Sequence, residues 1–221
     1  MKKKCERSSV SSIGFYKLFW VFMVGCVIGV AIEVFFSFVT TGRIVNPQGV
    51  IYGPFNPVYG FGVVFLTLLL YPVFNKQWYI IFILSMVVGG GFEFLISYLQ
   101  QFSTGTVSWQ YQQLPLNLYG RTSLIFSFYW GVLGFLWIKK IDPSISMVIA
   151  KPPKKMGLII TWILIVFMIF NLTISLLAVD RWEQRINNIP ANGAVGVFLD
   201  KTYPNSVLEK IYPEMTHLGH T

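Results

Sequence analysis

The 221 residues are 54% hydrophobic, 17% aromatic and only 12% charged, with a mean hydropathy of +0.61. A soluble domain carries about twice that charged fraction, so the composition excludes a soluble enzyme, a disordered tail and a disulfide-rich secreted domain. The net charge is +8, yet the basic residues flank apolar blocks, where they orient a chain in a membrane rather than bind nucleic acid.

A helix needs about 20 mostly apolar residues to cross a bilayer. Segments 16–39, 56–74, 78–99, 122–137 and 156–179 meet that need, and the sequence therefore predicts an all-α membrane protein with five transmembrane helices. Residues 1–15 read as a basic cytoplasmic N-terminus, 16–179 as the membrane domain and 180–221 as an extracytoplasmic tail. Orientation follows from Lys and Arg. Lys2, Lys3, Lys4, Arg7, Lys17, Lys76, Lys139, Lys140, Lys151, Lys154 and Lys155 fall on one side, 11 in all, against 6 on the other: Arg43, Arg121, Arg181, Arg185, Lys201 and Lys210. The predicted topology is N-terminus in, tail out. Cys26 continues into Val27-Ile28-Gly29-Val30, so the first segment reads as a retained helix rather than a cleaved leader. Cys5 in the cytoplasm and Cys26 in the bilayer are not expected to pair.

A shift of 60 residues lays Gly29 on Gly89, Glu33 on Glu93, Ser37 on Ser97, Tyr59 on Tyr119 and Gly60 on Gly120. One extra residue aligns Pro54 and Asn56 with Pro115 and Asn117. The sequence thus predicts a parallel hairpin repeat, helices 1–2 against helices 3–4. Gly25, Gly29, Glu33 and Ser37 recur every four residues, one narrow stripe of a helix, and Ser85, Gly89, Glu93 and Ser97 repeat it. Small residues let helices approach closely. Glu33 lies about 24 Å above Lys17 and Glu93 about 22 Å above Trp78, by helical rise.

An ionisable residue at that depth is costly, and is by default functional, paired or neutral. Facing stripes would bring the acids together, to titrate as one coupled unit. Arg121 is the expected counter-charge, with Arg43 the second choice. Asn56 and Tyr59 in the first outer loop, and Trp109, Asn117 and Tyr119 in the second, complete the set of ligand-binding or proton-relay candidates. The competing reading is structural, with the acids as local anchors. The chain carries no phosphate-binding Gly-rich loop, so it brings no ATPase of its own. His217 and His220 lack companions for a metal site, and no metal or other cofactor is expected. No Ser-His-Asp or Cys-His set is in prospect. Asn171-Leu172-Thr173 matches a glycosylation triplet but falls inside the fifth helix.

Gly29-x-x-x-Glu33, Gly53-Pro54-x-Asn56-Pro57-x-Tyr59-Gly60-x-Gly62, Glu93-x-x-x-Ser97, Trp109-x-Tyr111 and Gly120-Arg121 together resemble the Putative ABC-transporter type IV family of bacterial membrane proteins. In the tail, Ile189-Pro190-Ala191-Asn192, Phe198-Leu199-Asp200-Lys201 and Tyr203-Pro204 resemble its longer members. The chain departs from the family pattern at Val30 and Gln110, where Trp and Asp are usual. The resemblance implies a permease of the bacterial inner membrane, taking a small substrate at an outward-facing polar site. Its expected partners are membrane lipids, a second copy of itself and a separate ATPase subunit. Two other readings stand beside it: a non-transporting scaffold or regulator of envelope processes, and a membrane-embedded enzyme acting on a lipid-linked substrate. The tail is expected to cap the outer loops through a short helix begun by Asn192, with Val197, Phe198, Ile211 and Tyr212 packing inward.

Overall fold

A computed structural model describes residues 14–47 and 49–218. The expectations for Lys2, Lys3, Lys4, Cys5, Arg7 and His220 lie outside the described residues. Helix α1 is Phe15–Thr41 and α2 is Pro57–Leu70, closed by a 3-10 turn over Tyr71–Val73. Helix α3 is Trp78–Thr104. Two-residue strands β1 (Thr106–Val107), β2 (Asn117–Leu118) and β3 (Thr122–Ser123) follow. Helix α4, Leu124–Leu136, leads through a π turn at Trp137–Ile141 into α5, Asp142–Ile149. Helix α6 is Lys154–Ile186. Short helices α7 (Gly193–Thr202) and α8 (Asn205–Ile211) and strand β4 (Thr216–His217) complete the order.

Four helices are long and apolar enough to cross a membrane: Phe15–Thr41, Trp78–Thr104, Leu124–Ile149 and Lys155–Ile186. The apolar stretch Pro57–Val73 is shorter. Helices α1 and α3 have 27 residues each, about 40 Å at the helical rise. Both stop at a glycine in the left-handed region, Gly42 (φ 69) and Gly105 (φ 67), whose N–H groups return to Phe38 O and Gln101 O. That is the common C-cap, which a Cβ would strain.

Two boundaries differ from the sequence reading. The expected loop at 138–155 is mostly helix, because the chain widens into a π turn just before Pro143. The Asp142 N–H reaches back to Trp137 O. Pro143 then occupies the first turn of α5, where its missing N–H and its ring are tolerated. Helix α6 runs on to Ile186, so the expected division at 180 falls inside it. The fourth span is accordingly longer than 122–137, and the loop that follows is only residues 150–153.

Close packing is built on glycine. Gly29 faces the Tyr59 ring, and Gly60 faces Phe22 and Cys26. In the second pair Gly89 faces the Trp130 ring, and Gly131 faces Phe82 and Met86. The two seated rings stack on each other, with centroids 6.0 Å apart and planes at 28°. Tyr119, matched to Tyr59 by sequence, does not take its place. It is 82% exposed in the turn between β2 and β3, with φ 52.

Polar contacts tie the periphery. Lys17 Nζ meets Asp142 Oδ2 at 2.8 Å, and Trp137 Nε1 donates to Thr67 Oγ1 at 2.8 Å. Trp20 Nε1 donates to Thr161 Oγ1 at 3.0 Å, fixing α6 beside α1. The outer face of α6, with Ile159, Trp162, Ile163, Val166, Ile169 and Phe170, stays exposed, as a lipid-facing surface does.

At the far end the tail docks on α6. Leu199, Tyr203, Leu208 and Tyr212 pack with Ala178, Val179 and Trp182. Ile211 also joins this cluster, but Val197 and Phe198 are exposed, contrary to expectation. Asn192 precedes α7 without a side-chain cap. Arg181 clamps Asp200 through Nε and Nη2, both at 2.9 Å, and Arg185 Nη1 adds a third bond at 2.7 Å. Those bonds hold the Asp200 carboxyl down to about 2. Finally β4 pairs antiparallel with β1, Thr106 opposite His217, which ties the tail to the end of α3.

Candidate functional site

Above each seated ring, one helical turn nearer the loops, sits a glutamate: Glu33 four residues after Gly29, Glu93 four after Gly89. Their surroundings differ. Among the described residues Glu33 Oε2 accepts one bond, from Asn56 Nδ2 at 3.3 Å. Asn56 is buried and used on all sides. Its Oδ1 caps α2 through the Val58 N–H at 3.1 Å, Nδ2 also reaches Pro47 O at 2.9 Å, and its backbone N–H bonds Cys26 O at 3.1 Å. Glu93 is 6% exposed and accepts two short bonds, from the Tyr111 hydroxyl at 2.9 Å and from Thr122 Oγ1 at 2.8 Å.

Two tyrosines lie between these environments. Tyr59 packs on Gly29 and stacks on Trp130, and Tyr111 bonds Glu93 and rests on Phe126, whose ring centre is 6.3 Å from that of Phe36 on α1. Tyr111 stacks flat on Phe126, centroids 4.2 Å apart and planes at 16°, which fixes its hydroxyl over Glu93. Burial, and after it the Glu93 carboxylate, push the Tyr111 hydroxyl well above its ordinary 10. It therefore remains a proton donor at neutral pH.

Arg121 does not stand between the acids, which corrects the expected pairing. Among the described residues neither glutamate forms an ion pair with it. Its Nη1 donates to Ser97 Oγ at 3.3 Å and its Nη2 to Gln101 Oε1 at 2.5 Å, while the guanidinium lies 5.4 Å from the centre of the Tyr98 ring. The reason is local. Thr122 gives its hydroxyl to Glu93, while Arg121, in the turn just before β3, extends along α3 to Ser97 and Gln101. Arg43 is exposed beyond the end of α1, where its carbonyl accepts from Ser37 Oγ at 3.0 Å.

The remaining candidates divide by role. Trp109 Nε1 donates to Arg121 O at 2.9 Å and so positions the arginine backbone. Asn117 shapes its loop: Nδ2 reaches Leu114 O at 2.7 Å and Oδ1 accepts the Gly120 N–H at 2.9 Å. Tyr119 touches Phe94 edge-on and otherwise faces outward. Asn56 and Tyr59 are within the acid site; Trp109, Asn117, Tyr119 and Arg121 are not.

Sequence reasoning missed four polar residues. Tyr111 stood in a motif but was not singled out as a candidate, and Thr122 carried no signal. Asn171, set aside as a buried glycosylation triplet, is fully buried and grips the backbone of Tyr52, accepting its N–H at 3.1 Å and donating to its carbonyl at 2.7 Å. Ser175 Oγ accepts the Ile51 N–H at 2.9 Å. Together they hold the first loop on α6, an arrangement an Asn–Ser pair four residues apart on an apolar helix can signal.

The site thus holds two carboxyls from two hairpins, with fixed tyrosine, threonine and asparagine donors, at the loop end of an apolar bundle. Such a set can bind a polar group or pass a proton between its members. A search of curated proteins finds no match, and a search of solved structures finds none either. A family model described as Putative ABC-transporter type IV matches residues 20–176, which take in α1 to most of α6 and every residue of the acid site. On that match, and with four helices long and apolar enough to span, this multi-pass membrane protein belongs to the Putative ABC-transporter type IV family.

Proposed function

We propose that the chain is the permease-like subunit of a transporter in the bacterial cell membrane, with the two-glutamate site open to the outside. The observation that carries the reading is a hydrogen-bonded glutamate on each helix pair, Glu33 and Glu93, each one turn beyond a glycine that seats an aromatic ring, with those two rings stacked on each other. Two carboxyls in one membrane bundle are costly.

The topology belongs to the same reading. The Lys and Arg excess of 11 against 6 supports a cytoplasmic N-terminus and an external tail. The antiparallel packing of α2 on α1 supports five crossings. The matched contacts of Gly29 with Tyr59 and of Gly89 with Trp130 support a hairpin duplication. Its offset is 60 in the first helix of each pair and 71 in the second, the difference being the longer second loop.

One observation favours the non-transporting scaffold instead. The connections at the basic end, residues 74–77 and 150–153, are short, which leaves α5 as the principal surface for an ATPase. Purification of the full chain at native abundance in mild detergent separates the readings. A P-loop ATPase subunit retained in fixed proportion, with ATP hydrolysis in the purified complex, is the expected result. A chain that purifies with no ATP-binding subunit contradicts the permease reading and leaves the scaffold.

A further inference from the structure

Two concavities meet beside the acid site, and neither is used by it. The larger, of about 600 Å³, is an apolar groove bounded by Phe36 on α1, by Ile125, Phe126 and Tyr129 on α4, and by Tyr111 and Leu114 from the loop between β1 and β2. The smaller, of about 210 Å³, surrounds Arg121 with Ser97, Gln101, Trp109 and Tyr119. Gln110 and Gln112 line both.

Among the described residues Arg121 is a cation without a counter-ion. Among the described residues no carboxylate lies within ion-pair distance of it, and its hydrogen-bond partners Ser97 and Gln101 are neutral. A guanidinium carries five donors in a planar fork suited to phosphate or carboxylate, and two are engaged here. The groove next door is different in kind. Its aromatic and aliphatic walls come from the loop and from α1 and α4, two helices long and apolar enough to span. Charge at the rim and an apolar channel just below it match an amphiphile lying in the membrane. The amides of Gln110 and Gln112 at the junction suit the ester or hydroxyl groups that join head to chain.

We propose that the two concavities are the head and chain compartments of one site for an anionic amphiphile with a phosphate or carboxylate head. Gly120 belongs to its construction. At φ +69 a side chain there is strained, and a Cβ would sit 2.5 Å from Gln112 Cγ, so Gln112 would have to shift. The proposal takes from the preceding reading only that these helices span a membrane. Failure to retain an ATPase leaves it standing, and its own failure leaves the ATPase association untouched.

The test uses the full chain purified in detergent and titrated with short-chain phosphatidylglycerol, with phosphatidylcholine of the same chain length, and with inorganic phosphate, bound ligand being counted by native mass spectrometry. Phosphatidylglycerol is expected to bind at least about tenfold more tightly than phosphatidylcholine, with no saturable phosphate binding. Arg121→Gln should erase that preference while leaving phosphatidylcholine unchanged. Because the arginine also bonds Ser97 and Gln101, Gln112→Glu is the second variant. Gln112 is exposed, and a carboxylate there should repel the anionic head alone. Equal binding of the two lipids, or selectivity surviving both substitutions, overturns the proposal. Free phosphate binding as tightly as phosphatidylglycerol overturns the chain compartment.

Discussion

Glu33 and Glu93 occupy equivalent places and live differently. Each follows by four residues a glycine that seats an aromatic ring, yet among the described residues Glu33 has a single asparagine bond at 3.3 Å while Glu93 has two hydroxyl bonds under 3.0 Å. The loops account for the difference. The second folds back through its β2–β3 hairpin and sets Thr122 and Tyr111 on the acid. The first is held away on α6 by Asn171 and Ser175 and sends only Asn56. Common helix packing with divergent loops leaves one acid fixed and one free to exchange partners, an asymmetry a binding or relay site can use.

The shared half of the comparison breaks most easily at the glycines. Gly29→Val and Gly89→Val should each destabilise the bundle by about 3 kcal/mol or more, since the new side chain meets the Tyr59 or Trp130 ring directly. Gly91, which has nothing within 4 Å of a built Cβ, is the control. Gly91→Ala should be neutral or slightly stabilising, as Ala is the better helix former. Thermal unfolding in detergent reads all three. A large effect at one glycine of the pair alone would end the equivalence of the hairpins.

The differing half is tested by the acids themselves. Glu93→Ala strands the Tyr111 and Thr122 hydroxyls and should cost ~2 kcal/mol; Glu33→Ala strands one amide and should cost ~1 kcal/mol. Equal costs in the same unfolding assay would contradict the contrast drawn above.

The smallest effect concerns the tail. Asp200 holds that tail to Arg181 and Arg185. Its folded carboxyl lies near 2, below the ordinary 3.8, so its contribution to docking is fully present above about pH 4 and is lost as pH falls through about 2. Accessibility of a cysteine placed at Val207 should therefore rise only toward pH 2. Asp200→Asn should give a tail that is looser at neutral pH and shows no further step in that window.

Much of this was legible in the sequence. Apolar length marked α1 and α3, and the stripe of small residues marked the faces that pack. The rest was hidden for identifiable reasons. Pro143 looked like a helix breaker because a π turn leaves no compositional trace. Tyr119 looked like the partner of Tyr59 because the Tyr-Gly pair recurs at the 60-residue shift. The packing partner was Trp130, displaced by a longer loop that no periodicity search over a fixed shift can follow. Arg121 looked like the counter-charge because it neighbours the site in sequence. Arg121 sits in the turn before β3 and is taken up by Ser97 and Gln101, while Thr122 supplies the hydroxyl to Glu93.

The central claim is that tyrosine, and not Arg121, completes the acid site. A pair of double-mutant cycles on unfolding free energy tests it directly, one joining Glu93→Gln with Tyr111→Phe and the other joining Glu93→Gln with Arg121→Gln. The expected result is a coupling of ~1 kcal/mol or more for Glu93 with Tyr111, and additivity to within about 0.5 kcal/mol for Glu93 with Arg121. The reverse pattern, strong coupling to the arginine and none to the tyrosine, would contradict the account.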